Sequence, residues 1–233
     1  MKILLQQILW QFKILHRNNL ILISIAVTVI YVGIFFLLKD FPNMDGLLTL
    51  FIYNDPAIIG MFFMGLGFLM ERKQLILGAL IVSPQSLHIY LLARIIPLSL
   101  IGSFCALGMA FAVLGLNFNI LNFFLGVFIT SGLFCMLGIG VAVYSNEFLL
   151  FLLRSIPVLI LMSLPLIGYY QLFDSELFEF FPIQGPLKLI TASYDTESTA
   201  NQFVWEYLRS LIWLGLAYGI LYRFMKSRWA RGL

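Results

Sequence analysis

The sequence predicts an all-α integral membrane protein, and three observations support that class. Hydrophobic residues fill 61% of the 233 positions and charged residues only 11%, whereas soluble domains carry roughly 45–50% apolar and about 25% charged residues. The mean hydropathy is +0.99. The apolar residues also fall into long runs, close to the roughly 20 residues that an α-helix needs to cross the hydrocarbon core. We therefore expect a bundle of helices that has the bilayer as its solvent.

The N-terminal segment, residues 1–18, predicts an amphipathic helix that lies in the membrane interface. At a helical period, Leu4 and Ile8 fall on one side, and Lys2 and Lys13 fall on the other. Such a helix places its apolar face among acyl chains and its basic face toward phosphates and water. A signal peptide is the rival interpretation, but glutamines interrupt the apolar run and no small-x-small cleavage site follows.

Six apolar segments follow, and we interpret each of them as a membrane span within a single transmembrane domain, 1–233. Their approximate bounds are 20–38, 47–70, 95–116, 120–144, 155–173 and 207–225. The second span is the least regular, because Asn54-Asp55-Pro56 interrupts it. Ala57–Met70 alone is too short to cross at about 1.5 Å per residue. The second span must therefore include Asp55 or extend past Glu71.

Basic residues predict the orientation of these spans. With the N-terminus in the cytoplasm, all but three of the 14 basic residues fall in inner segments. The inner ones are Lys2, Lys13, Arg17, Arg72, Lys73, Arg94, Arg154, Arg223, Lys226, Arg228 and Arg231, and the outer ones are Lys39, Lys188 and Arg209. Because cytoplasmic loops carry an excess of Lys and Arg, we expect a multi-pass protein of the cell (plasma or inner) membrane with both termini in the cytoplasm.

Two connections are longer than the others, one on each side. The inner connection, residues 71–94, is polar, and the outer connection, residues 174–206, has an apolar middle at Leu177–Ile190. That apolar piece is too short to span and favours a re-entrant or interface-lying helical hairpin. A folded outer loop that rests on the bundle is the alternative. In either case the outer connection caps the bundle.

Motifs for catalysis or nucleotide binding are absent from the sequence. It contains no G-x-x-x-x-G-K-[ST], no G-x-G-x-x-G and no H-E-x-x-H. Its only histidines are His16 and His88, and Cys105 and Cys135 lie in apolar runs, where a buried cysteine acts as a small hydrophobic residue. We therefore expect no enzyme activity, no cofactor or metal in this chain, and no nucleic-acid partner.

Charged residues are rare within the predicted spans, and Asp55 is the main candidate for a functional one. It lies about 22 Å above the inner end of its helix, and an ionisable group inside the membrane is a candidate for the transport path. The alternative places Asp55 at the outer water boundary, with Pro56 in the first turn of the helix. Arg94 and Arg154, at the inner ends of two spans, are interpreted as anchors that extend to the interface.

The inner connection resembles the matching segment of the permease subunits of ABC-2 type exporters. In that family an acidic–basic pair ends the second span, followed by a glycine, an apolar pair, Ser/Thr-Pro and a basic residue where the third span begins. The matching residues here are Glu71-Arg72, Gly78, Leu80-Ile81, Ser83-Pro84 and Arg94. One departure is Leu77-Gly78, where Gly-Thr is usual. The order of parts along the chain is also similar, and small stand-alone drug-export permeases are a better match than haem-exporter permeases.

The resemblance implies a coupling helix at Lys73–Ser83 that docks on a separate ABC ATPase subunit, which would bind the ATP and Mg²⁺. The residues implied in docking are Glu71, Arg72, Lys73, Gln74, Gly78, Ser83, Pro84 and Arg94. A second permease copy, identical or related, would complete the transporter. Because the apolar and aromatic spans would line its cavity, we expect a hydrophobic or amphiphilic cargo. A haem-exporter-like permease, a non-ABC transporter or channel, and a membrane assembly subunit stay open as alternatives.

Overall fold

The computed structural model describes residues 2–38, 44–78, 86–172, 176–194 and 200–229. These residues form helices joined by short turns and contain no β-strand. The predicted all-α class is confirmed.

The chain begins with two helices that meet at a sharp turn. Helix α1 is Lys2–Arg17 and helix α2 is Leu20–Leu37. Between them Asn19 has a φ of 58°, a left-handed conformation that asparagine adopts more readily than most residues. The apolar α2 is exposed along most of its length.

The second predicted span is one helical segment, Met44–Lys73, of 30 residues. It consists of α3 (Met44–Pro56), a π-helical segment (Ala57–Phe63) and α4 (Met64–Lys73). The interruption at Asn54-Asp55-Pro56 therefore changes the helix type without ending the helix, since proline removes one backbone donor and a wider turn accommodates the change. The segment includes Asp55 and also extends past Glu71.

The remaining helices are long, apart from two short ones near residue 180. They are α5 (Leu87–Leu114), α6 (Ile120–Tyr144), α7 (Phe148–Tyr169), a short 3₁₀ segment (Glu176–Phe180), α8 (Gln184–Ala192) and α9 (Ala200–Trp229). Among the described residues, five helical segments are long and apolar enough to cross a membrane: α2, Met44–Lys73, α5, α6 and α7. Helix α9 is not among them, so the sixth span stays a prediction.

Helix α6 forms the centre of the bundle and packs against α5, the π-helical segment, α4, α8 and α9. Two glycines allow close approach. A Cβ at Gly138 would collide with the backbone of Met61, and one at Gly126 would lie 3.2 Å from the carbonyl oxygen of Pro186. The end of the bundle that carries α1 is named the inner end, and the end that carries α8 is named the outer end.

Several helices start or end away from the predicted spans. Helix α5 begins at Leu87, where the Ser86 hydroxyl accepts a hydrogen bond from the Ile89 amide at 3.4 Å. Residues 87–94 of the predicted inner connection therefore belong to a helix. Helix α7 begins at Phe148 and ends at Tyr169, earlier at both ends than the predicted 155–173.

Candidate functional site

Glu71 and Arg94 form an ion pair at the inner end of the bundle. Glu71 lies in the last turn of α4, Arg94 lies in the second turn of α5, and each side chain is only 15% exposed. The pair joins the two helices that the inner connection links. The interpretation of Arg94 as an anchor that extends to the membrane interface is therefore wrong, because its guanidinium points to a carboxylate inside the bundle.

Tyr90 completes this cluster. Its hydroxyl donates a hydrogen bond of 2.9 Å to Glu71 Oε2, and the Arg94 guanidinium lies 4.5 Å from the centre of its ring. Tyr90 and Arg94 are four residues apart, so that they share one face of α5. A buried ion pair is stable only where other hydrogen bonds satisfy its remaining polar atoms, and the Tyr90 hydroxyl has that role for Glu71.

The next residues turn away from the pair toward the surface. The Arg72 guanidinium donates to the carbonyl oxygen of Ser145 at 3.4 Å, which ties α4 to the end of α6. Lys73, Gln74 and Gly78 are exposed, whereas Leu77 is buried in the core. The described part of the inner connection is thus fixed by Leu77 and presents polar groups outward.

Not all of the predicted docking residues can be placed. Ser83 and Pro84, together with the Leu80-Ile81 pair of the motif, lie outside the described residues. The structure brings Glu71 and Arg94 together, puts Arg72 against α6, and leaves Lys73, Gln74 and Gly78 on the surface.

A cavity of about 590 Å³ lies between α1, α4 and α5 at the inner end. Its polar lining consists of Gln11 and Asn18 from the start of the chain, together with Glu71, Gln74 and Arg94. Helix α1 therefore covers the ion pair, and any movement of α1 changes the surroundings of Glu71 and Arg94.

Asp55 is buried, with 2% of its surface exposed. Its Oδ2 atom is inaccessible and has no hydrogen-bond partner among the described residues. The helical segment begins at Met44, so Pro56 does not lie in its first turn, and a role of Asp55 in the transport path stays a prediction.

Four charged residues form a network at the outer end. Lys188 of α8 contacts Glu179 and lies 3.8 Å from Glu206, while Arg209 of α9 lies 2.7 Å from Glu179 and 3.6 Å from Glu206. The hydrogen bond from Lys188 holds the pKa of Glu179 below its ordinary value, whereas burial raises the pKa of Glu206. The network joins the 3₁₀ segment, α8 and α9.

Helix α8 also packs below the outer end of α6. Ile183, Leu189 and Ile190 are fully or almost fully buried, and the Pro186 carbonyl lies against Gly126. Gly126 is six residues into α6, about 9 Å along the helix axis from Ile120. Helix α8 therefore packs beside the first two turns of α6, and the re-entrant hairpin stays a prediction.

Sequence reasoning missed Tyr90 and the outer network as parts of possible sites. The i, i+4 spacing of Tyr90 and Arg94 was an available signal for the first. The second joins residues 176–180 to residues near 206, and no local pattern indicates that contact. Among the described residues, no group of three or more His, Cys, Asp or Glu side chains is placed to hold a metal ion.

Comparison with known proteins identifies the family to which the chain is similar. The family model described as "Fluoroquinolones export permease protein family" matches residues 3–231. Two relatives come from Mycobacterium tuberculosis, one from each of two strains, and each is named a fluoroquinolones export permease protein. Both are 30% identical to the chain over 148 residues. The aligned region covers 63% of this chain and 62% of each relative. No solved structure matches the chain significantly.

The expected resemblance to small drug-export permeases is therefore confirmed. Because the match extends from residue 3 to residue 231, it includes helix α1, the Glu71–Arg94 pair and helix α8. The chain belongs to the fluoroquinolones export permease protein family.

Proposed function

We propose that this chain is the membrane-spanning subunit of an ATP-driven exporter that moves hydrophobic or amphiphilic drug-like compounds out of the cytoplasm. The observation that carries the proposal is the family match over residues 3–231. Fluoroquinolones are the first compounds to test, because the relatives are named for them. The exposed apolar surfaces of α2 and α7 suit such cargo better than a sugar or a free ion.

The energy for export comes from a separate ABC ATPase subunit in this proposal. The 233 residues contain no nucleotide-binding motif, so ATP and Mg²⁺ would bind to that subunit and this chain would not act as an enzyme. The inner connection is the docking segment, and the exposed Lys73 and Gln74 would face the ATPase. The Glu71–Arg94 pair would pass its movement to α4 and α5, since it joins the two helices.

A second permease copy completes the proposed transporter. Exposed apolar side chains cover α2 and α7, which are the least buried of the five candidate spans. Single exposed apolar residues are normal, but continuous apolar faces mark surfaces that meet lipid or another protein. We propose that these two helices face the second copy across the cargo pathway.

The proposed topology keeps six spans, with both termini on the cytoplasmic side of the plasma or inner membrane. Helix α9 supports the sixth span, because its 30 residues run beside α6 from Ser210, near α8, to Arg228, near Tyr144. A helix of that length extends about 45 Å, which exceeds the hydrocarbon thickness. Its charged residues lie near its two ends, with Glu206 and Arg209 at the outer end and Arg223, Lys226 and Arg228 toward the other.

Transport into inside-out membrane vesicles tests the proposal. We expect vesicles that contain the permease and its ATPase to accumulate a fluoroquinolone on addition of ATP and not of a non-hydrolysable analogue. An ionophore that collapses the proton gradient should leave this uptake unchanged. Replacing Lys73–Ser83 by a Gly/Ser linker should abolish both uptake and co-purification of the ATPase. If the linker variant retains both, the segment is not the coupling helix.

One observation favours a second candidate, an ion-coupled transporter. Asp55 is a buried carboxylate beside a π-helical segment, and buried ionisable groups inside membranes often form ion pathways. The same vesicles distinguish the candidates. An imposed proton gradient should then drive uptake without ATP, and Asp55→Asn should abolish that uptake. This result would favour ion-coupled transport over the ATP-driven mechanism.

A further inference from the structure

A second cavity lies at the outer end of the bundle, away from the inner connection. Its volume is about 650 Å³, which is within the range of roughly 300–1,000 Å³ that small-molecule sites occupy. It lies between the start of α3, the end of α7, α8 and the start of α9. Nothing in the proposed mechanism has used this space.

Aromatic side chains form much of its wall. Tyr169, Tyr194, Phe203 and Trp205 come from separate parts of the chain and line the same cavity. Thr49 fixes two of them, because its hydroxyl lies 3.0 Å from the Tyr194 hydroxyl and 3.4 Å from the Tyr169 hydroxyl. Phe203 is buried, whereas Trp205 is 60% exposed and stands at the rim. The wall is thus held in place on one side and accessible on the other.

The charges that line the cavity do not balance. Among the described residues of its lining, Asp45 and Glu206 are acidic and Lys188 is basic, which leaves one negative charge in excess. The ammonium of Lys188 contacts Glu179 and lies 3.8 Å from Glu206. Its positive charge is therefore compensated by these two carboxylates. Asp45 forms no ion pair with any described residue. The excess charge therefore belongs to Asp45, at the edge of the aromatic wall.

An acidic group beside several aromatic faces is a favourable environment for an organic cation. Aromatic rings attract a cation through their quadrupole, and a carboxylate adds a direct charge. An aromatic ligand gains further from stacking against Tyr or Trp. The aromatic residues and the acidic charge of the wall suit a compound that has both an aromatic system and a protonated amine.

We infer that this outer cavity is a binding site for aromatic compounds that carry a protonated amine, and that it acts as an exit-side site on the export path. The inference rests on the proposed function and on the predicted orientation for its place in transport. The binding chemistry itself depends only on Asp45 and the aromatic wall. An exit-side site must bind cargo more weakly than the inward-facing site, because transport requires different affinities in the two states.

Equilibrium binding to the purified full chain in lipid nanodiscs tests the chemistry. The probe is a fluoroquinolone with a free piperazinyl amine, compared with the same compound after N-acetylation, which removes the positive charge. We expect the charged compound to bind about 5-fold more tightly, a difference that corresponds to one exposed or half-exposed charge pair. Equal affinities for the two compounds would overturn the inference.

Variants locate the binding. Asp45→Asn should lower the affinity for the charged compound about 5-fold and leave that for the acetylated one unchanged, while Asp45→Glu should restore it. Glu176→Gln is the matched control, because Glu176 is an exposed acidic residue near the same end and does not line the cavity. If Glu176→Gln has the same effect as Asp45→Asn, the binding is a general charge effect and the site is wrong.

The aromatic wall has its own control. Trp205→Leu should weaken binding of both compounds, whereas Phe180→Leu should not, since Phe180 is 75% exposed and lies outside the cavity. Equal effects of these two variants would exclude the wall as the binding surface.

Vesicle transport separates this inference from the proposed function. Binding without ATP-dependent export would contradict the proposed function, and export that is insensitive to both Asp45→Asn and Trp205→Leu would contradict the exit-side role.

Discussion

Glu71 and Asp55 are two acidic residues on one helical segment, and their surroundings are opposite. Glu71 is paired with Arg94 and accepts a hydrogen bond from Tyr90. Asp55 is more deeply buried, and its Oδ2 atom has no hydrogen-bond partner among the described residues. The segment between them contains the π-helical turns.

The difference separates a structural role from a possible functional one. A buried charge is costly unless it is paired and hydrogen-bonded, and the Glu71 cluster meets that requirement from side chains of α5. The surroundings of Asp55 do not meet that requirement, because its Oδ2 atom has no hydrogen-bond partner among the described residues. We therefore expect Asp55 to contribute little to the stability of the fold. The Oδ2 atom of Asp55 is inaccessible in this structure, so a proton or the amine of a passing cargo would reach it only after the surrounding helices move.

The largest expected effect comes from breaking the pair at the inner end. Arg94→Met should lower the free energy of unfolding by about 3–5 kcal/mol, because it leaves the buried Glu71 charge without its partner. Thermal or denaturant unfolding of the purified protein in detergent measures the change. The double variant Glu71→Gln with Arg94→Met should recover part of the loss, since no charge is then left alone.

Arg154→Met is the matched control for this prediction. Arg154 also lies near the inner end, but its side chain is exposed, and surface substitutions usually change stability by less than about 0.5 kcal/mol. If Arg94→Met and Arg154→Met destabilise the protein equally, the Glu71–Arg94 pair does not hold α4 and α5 together.

A smaller effect is expected from the hydroxyl that supports the pair. Tyr90→Phe should cost about 1–3 kcal/mol, because the variant keeps the ring against Arg94 and removes one hydrogen bond to a buried carboxylate. The same unfolding experiment measures it. Tyr222→Phe, on the partly buried ring that stacks on His88, is the comparison and should change stability much less. A cost for Tyr90→Phe no greater than that for Tyr222→Phe would show that the hydroxyl is dispensable.

At Asp55 we expect no loss of stability. Asp55→Asn keeps the size of the side chain and removes a buried acidic group that has an unpaired oxygen, so the free energy of unfolding should stay within about 0.5 kcal/mol or rise. Glu71→Gln is the comparison, an equivalent change that should destabilise. A clear loss of stability in Asp55→Asn would mean that Asp55 has a partner of structural importance. Export that is unchanged at every pH would remove Asp55 from the transport path.

The sequence predicts one half of this comparison better than the other. Hydropathy identifies the span, and the family resemblance directs attention to Glu71 and Arg94. Their contact depends on how α4 and α5 pack against each other. The positions of residues 71 and 94 in the sequence do not show which side chains of the two helices face each other. The burial of Asp55 depends in the same way on the packing of α3 against α5 and α6. The outer cavity is harder still to predict, because Asp45 and Trp205 come from distant parts of the chain.

The smallest effect is expected where charges are paired but exposed, in the outer network. Glu179 is 43% exposed, and surface ion pairs contribute about 0–1 kcal/mol, so Glu179→Gln should cost less than Tyr90→Phe. The Lys188 hydrogen bond lowers the pKa of Glu179, so its contribution is complete above the ordinary glutamate pKa and is lost as the pH falls through the lowered value. The stability difference between wild type and Glu179→Gln should therefore shrink on acidification and in high salt. A stability difference that stays constant with pH and salt would mean that Glu179 acts through packing and not through its charge. The contrast between buried and exposed ion pairs would then not explain why Arg94→Met costs more stability than Glu179→Gln.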